Sequence, residues 1–152
     1  MTRRLTTVLT GGRPAGVYRW LARAHPEAVR RELSAAGWAT HPLDGRGLTS
    51  ASQLFDRCAR MFAFPGRFRH TWDGLTDCLT DLSWLPEHGH VVLWDHYHVL
   101  AHADPKAWRL AYQAFADAIA ARERSGGVAL YLLLRGPGPV EHPAGPGNIP
   151  LL

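Results

Sequence analysis

Three aspartates, Asp73, Asp77 and Asp81, recur four residues apart in this 152-residue chain. On a helix of 3.6 residues per turn that spacing stacks their carboxylates in one row about 12 Å long. Like charges so placed repel, and each pair costs an isolated helix about 0.2–0.5 kcal/mol. Asp73 recovers part of this at the positive end of the helix dipole, whereas Asp81 sits near the negative end and gains nothing. Acidic helix faces are commonly just solvated, but a row kept at a cost also suits a surface shaped for a cationic partner. Adjacent acids can instead split acid and base roles. No evident nucleophile accompanies Asp73 and Asp77, which ranks catalysis below binding.

Other chemistry-bearing residues are less organised. His88, His90, His96, His98 and His102 form the best metal candidate. Were the apolar run from His90 to continue as a strand to His98, His96 and His98 would share a face at a zinc-chelating spacing. No third ligand is evident, so neither a metal nor a cofactor is expected. Cys58 and Cys78, with nineteen residues between them, match neither a zinc site nor a disulfide framework and read as reduced, buried thiols. Gly11-Gly12 is followed by Arg13-Pro14 and lacks the spacing of a phosphate loop.

The net charge of +4 raises nucleic-acid binding as an alternative. Its excess lies in residues 1–40, with seven Arg against two Glu, while residues 41–100 carry seven acids against five Arg. Arg3, Arg4, Arg13, Arg19, Arg23, Arg30 and Arg31 would carry such binding. They do not line one helix face, and solubilising that segment is the simpler role.

The elements that must position these groups follow from apolar spacing. Leu5–Leu9 reads as a short strand, followed by a Gly/Pro turn and an apolar piece at Val17–Leu21. Pro26 opens a helix with Val29, Leu33 and Ala36 on one stripe, ending at Gly37. A short strand from Trp38 leads to the turn Asp44-Gly45. Thr49 or Ser50 then caps a helix that stops before Pro65-Gly66. The spacing of Trp72, Leu75, Cys78, Leu79 and Leu82 predicts a second helix from Thr71 to Leu82, with the aspartate row opposite. His90–Trp94 suits a buried strand, Asp104-Pro105 starts a third helix, and Val128–Leu134 reads as a central strand. The order strand, helix, helix, strand, helix, strand suggests an α/β fold with a small three-stranded parallel sheet packed with helices.

The segment Leu43 to Leu82 resembles the barstar family, inhibitors of secreted ribonucleases. The resemblance is carried by Trp72-Asp73-Gly74-Leu75, by Asp77-Cys78-Leu79 and by Phe64-Pro65 ahead of them. It continues at Val91–Asp95, at Gln113, Phe115 and Asp117-Ala118, and in the last apolar strand. It implies a barstar-like domain over residues 38–135, with an ordered basic extension, 1–37, before it and a Pro/Gly-rich tail, 136–152, expected to be mobile or loosely packed. It further implies that the acidic helix and its preceding loop plug a ribonuclease active site. Asp77 would be the central phosphate-mimicking carboxylate, Asp73 its neighbour, Thr80 one turn beyond, and Asp117 a further acidic contact where the family has Glu.

Arg67 replaces a family Tyr, Thr76 a Trp, and Leu82 a Trp, so much of the aromatic part of that interface is absent. With Asp81, Arg67 and Thr76 complete the expected contact surface. Arg67 and Arg69 would pair with the acids in the free protein or meet acidic groups on the partner. The expected partner is a barnase-like or other guanyl-specific secreted nuclease, with an immunity role against a different toxin as the variant reading. The protein itself would be a cytoplasmic, non-enzymatic monomer that touches neither nucleic acid nor membrane; no apolar run is long enough to span a bilayer.

Overall fold

Val91–Leu93 and Leu130–Leu134 are continuous apolar runs, and a strand of that kind needs cover on both faces. The computed structural model, which describes residues 5–152, supplies it. Among these residues four strands, β1 (Val17–Arg19), β2 (Ala39–Asp44), β3 (Gly89–Asp95) and β4 (Ala129–Arg135), form one parallel sheet in the order β1-β4-β3-β2. Six helices accompany them: α1 (Leu5–Thr10), α2 (Pro26–Ala35), α3 (Ala51–Met61), α4 (Trp72–Asp81), α5 (His98–Ala103) and α6 (Pro105–Arg124). Val92, Trp94, Leu130, Leu132 and Leu134 project into a large core shared with α3, α4 and α6. Their neighbours Val91, Leu93, Tyr131 and Leu133 project the other way, into a second core closed by Leu5, Leu9, Val29 and Leu33 of α1 and α2.

Local chemistry sets the helix boundaries. Ser50 caps α3 by accepting from the Gln53 N–H at 3.2 Å, and Asp104 caps α6 by accepting from the Ala107 N–H at 3.0 Å. Ala107, Trp108, Ala111, Tyr112, Phe115, Ala118 and Ile119 make the buried stripe of α6. Pro42, which lacks an N–H, is accommodated because β2 lies at the sheet edge.

The structure corrects four expectations. The sheet has four strands rather than three, because β1, from the extension, pairs with β4 at the register Val17–Leu132. Leu5–Leu9 is helical rather than extended. Its β-branched content suggested a strand, but the i, i+4 pair Leu5 and Leu9 is buried on the second core, and Glu32 accepts from the Thr6 N–H at 2.8 Å. The strand from His90 stops at Asp95: His96 turns to a positive φ of 57° and His98 opens α5, so these two imidazoles do not share a strand face.

Nor is the tail loose. It returns to the exposed edge of β1, where the Arg19 N–H donates to the Pro150 carbonyl at 2.8 Å and the Leu152 N–H to the Arg19 carbonyl at 3.0 Å. Ile149 is buried and the Tyr97 hydroxyl donates to the Pro139 carbonyl at 2.9 Å. An edge strand that would otherwise offer unpaired backbone groups is thereby covered.

Candidate partner-binding face

The acidic helix is held at both ends by groups outside its aspartate row. At the start, the Thr71 hydroxyl accepts from the Gly74 N–H at 2.9 Å. Gly74 also lets the preceding loop come close, because a Cβ there would collide with the Arg69 carbonyl. That loop, residues 62–71, is braced from below by aromatic packing: Phe64 on Phe68 with ring centroids 4.8 Å apart, and Phe55 on Trp72 at 4.8 Å. The Trp84 indole N–H donates to the Phe62 carbonyl at 2.8 Å. With Phe68 turned inward, Arg67 and Arg69 on either side are exposed.

At the end of α4 there is no basic residue in the last turn to meet the bare carbonyls. Arg122 of α6 takes that role from across the helix interface. Its Nη1 donates to the carbonyls of Leu79 at 3.4 Å, Thr80 at 3.0 Å and Asp81 at 3.1 Å, while Nε donates to the Val128 carbonyl at 3.0 Å. Arg122 is buried; desolvation pulls its guanidinium down from its ordinary value, and Asp81 opposes this. Sequence reading passed over Arg122, although a cation in the apolar stripe of α6, one turn after Ala118 and Ile119, was a visible signal of an internal partner.

Asp73 and Asp77 are exposed, and among the described residues neither enters an ion pair. Asp81 meets Arg67 at 3.4 Å, with the Arg67 side chain largely and the Asp81 side chain partly in water. Such a pair contributes about 0.2–1 kcal/mol and opens readily. Thr76 and Thr80 are half-buried and bonded along the helix, to the Trp72 carbonyl at 3.1 Å and the Thr76 carbonyl at 2.7 Å. Asp117 is exposed on α6 and accepts from the Gln113 amide at 2.7 Å. Leu82, by contrast, is buried at the left-handed cap of α4 and has no part in the exposed face. Beneath the row, burial and the charges of Asp77 and Asp81 raise the Cys78 thiol, while burial pushes Cys58 up to about 12; both cysteines are free.

This is a helix carrying unneutralised carboxylates, with a cation-bearing loop beside it. The sequence of residues 38–134 matches the family model described as barstar (barnase inhibitor). The chain belongs to the barstar family. No curated protein matches it. The match runs from β2 to β4, and β1, α1 and α2 lie before it.

The remaining candidates resolve differently. Among the described residues no group of three or more His, Cys, Asp or Glu is placed to hold a metal ion. The rings of His96, His98 and His102 meet edge to face, at 5.7 and 6.2 Å between successive centroids. Of the arginines weighed for nucleic-acid binding, Arg3 and Arg4 lie outside the described residues. Arg13 donates to the Leu151 carbonyl at 2.7 Å and Arg30 pairs with Glu27 at 3.0 Å, so that both serve internal contacts. Among the described residues no helix is long and apolar enough to cross a membrane.

Proposed function

We propose that this barstar-family protein inhibits a ribonuclease by docking α4 and the 62–71 loop in the enzyme's active cleft, where Asp73 and Asp77 occupy the positions of RNA phosphates. The observation that supports this most is the exposure of both carboxylates without internal partners on a helix whose ends are locked by Thr71 and Arg122. A carboxylate desolvated against Arg or Lys makes short charge-assisted hydrogen bonds, and a rigid helix offers it without further ordering cost. Thr76, Thr80 and Asp117 extend the contact surface, and Asp81 joins it once Arg67 swings away. The target is a guanyl-specific secreted nuclease of the barnase type or a related toxin. The protein acts in the cytoplasm, as a monomer when free, and performs no catalysis: its two acids stand in open solvent rather than enclosed with a reacting group.

Inhibition titrations against a barnase-type enzyme test the proposal. Asp77→Ala weakens inhibition by at least about tenfold, or about 1.4 kcal/mol, while the thermal midpoint stays within a few degrees of the parent. Association of the parent slows as salt rises, because unlike charges steer the encounter. Affinity unchanged by the substitution overturns the assignment.

The exposed cations Arg67 and Arg69 favour a partner whose groove also carries a carboxylate opposite the loop. This separates the present target from one lined by basic groups alone.

A further inference from the structure

Because the sheet is parallel, the carboxyl ends of all four strands open on one rim, the place where α/β proteins of this layered kind take ligands. Two adjoining hollows lie there. The larger, about 560 Å³, is walled on one side by the crossover from Trp20 to Pro26 and on the other by Asp95, His96 and Arg135 at the ends of β3 and β4. The smaller, about 260 Å³, shares His25 and His96 with it and reaches Asp44 and Arg46 at the end of β2. The crossover precedes the barstar match, which begins at residue 38, so the cleft exists only where the extension and the barstar domain meet.

Its walls are fixed in advance. Arg135 grips Asp95 through two bonds, 2.5 and 2.9 Å, and its Nη1 donates to the carbonyls of Ala22 at 3.0 Å and Ala24 at 2.7 Å, which pins the crossover to the rim. The Arg135 guanidinium lies over the Trp20 ring, 5.4 Å from its centroid. Asp44 is held by Arg46 in the same two-pronged way. Both rim carboxylates are thus neutralised, and among the described residues Arg23, His25 and His96 have no acidic partner. His25 accepts from the Glu27 N–H through Nδ1 at 3.1 Å, leaving Nε2 as its donor. Leu21 is 72% exposed beside them.

His96 carries the second observation. Three non-glycine residues have positive φ among those described: Ala63 and Leu82 follow the ends of α3 and α4, where that conformation closes a helix, whereas His96 ends a strand. Glycine would make this turn without strain, yet an imidazole is kept at the point shared by both hollows.

We propose that this rim cleft binds a small phosphate ester of a planar group, the size of a mononucleotide, with the planar body against Trp20 and Leu21 and the phosphate among Arg23, His25 and His96. The volume suits such a ligand, and the mixture of an apolar wall, the Arg23 guanidinium without an acidic partner and imidazole hydrogen-bond donors suits both of its parts. The site is separate from α4 and does not rest on the inhibitor reading.

Titration calorimetry and amide chemical shifts of the full chain test it, with AMP, 1-naphthyl phosphate, adenosine and inorganic phosphate as separate probes. At least one of the two esters binds with a Kd below about 1 mM, about tenfold or more tighter than adenosine or phosphate alone, and shifts the amides of residues 20–26 and 95–96. Preference for AMP identifies a nucleotide, and equal binding of the naphthyl ester identifies aryl phosphates in general. His96→Gly raises the thermal midpoint yet weakens ester binding at least about fivefold, and Arg23→Ala weakens it with the midpoint unchanged. Failure of both esters to bind at millimolar concentration, or affinity untouched by both substitutions, overturns the proposal.

Discussion

Gly74 shows how one residue ties the acidic helix to its loop. By helix propensity alone, alanine in its place would stabilise the protein by about 1 kcal/mol. The Arg69 carbonyl stands where the new methyl would go, and a backbone group has little freedom to retreat. Gly74→Ala therefore destabilises the protein, by about 1–3 kcal/mol, and displaces Arg67 and Arg69 from their places beside the row. Thermal denaturation with an inhibition titration reads both effects; a stabilised variant would show that the propensity term wins. The Trp-Asp-Gly-Leu motif was legible as a signature, but the reason for its glycine lay in a contact five residues back that no local pattern encodes.

At the scale of the element, α4 is a costly helix: short, acidic along one side, and without a cation of its own at its negative end. Arg122 offsets this from α6, donating to three carbonyls at the end of α4. Arg122→Met fits the buried space but leaves those carbonyls without their donor. We expect a loss of about 3 kcal/mol in urea denaturation, together with faster hydrogen exchange in the last turn of α4. Arg122→Lys restores part of the loss, since a single ammonium reaches fewer of the carbonyls. Intact protection of that turn in the Met variant would show that α4 is held by packing alone. The boundaries of α4 itself followed from its apolar spacing, because Leu75, Cys78 and Leu79 face the core at the period of a helix.

At the scale of the molecule, the extension is structural. Deleting residues 1–37 strips the second face of the sheet, exposing Val91, Leu93, Tyr131 and Leu133, each at most 3% exposed in the intact chain. Four such side chains are worth roughly 6–12 kcal/mol, comparable to the whole stability of a domain. The truncated chain should bind hydrophobic dye and aggregate, and a soluble, cooperatively melting 38–152 fragment would refute this.

Stability should also depend on pH through the buried pair His41 and His90, whose rings meet at 3.1 Å between Nε2 and Nδ1. Burial pushes each down to about 4, and the neighbouring charge of Arg122 acts on His90 in the same direction. The unfolded chain takes up protons below about pH 6.5 while the native state resists them until about pH 4. Stability is therefore full above that window and falls through it, by a few kcal/mol in all. Asp44, drawn down to about 2 by Arg46, acts only at lower pH. Urea midpoints across pH 4–7 should show this slope, and replacing both histidines by leucine should flatten it; an unchanged slope would place its origin elsewhere.

Periodicity and capping residues by themselves determined where α3, α4 and α6 begin, which strands are buried, and that three aspartates share one face; the short α5 was not foreseen. These are short-range matters, set by spacing along the chain. Which acids stay free, what closes the end of α4 and where a fourth strand joins the sheet were decided in three dimensions. Arg67 meets Asp81 fourteen residues away, Arg122 meets Thr80 across forty-two, and β1 pairs with β4 across more than a hundred. The physical reason is that an alternation of apolar residues specifies a face but not its occupant. A continuous apolar strand signals that both sides are covered, and the packing of the whole chain chooses the extension as the cover.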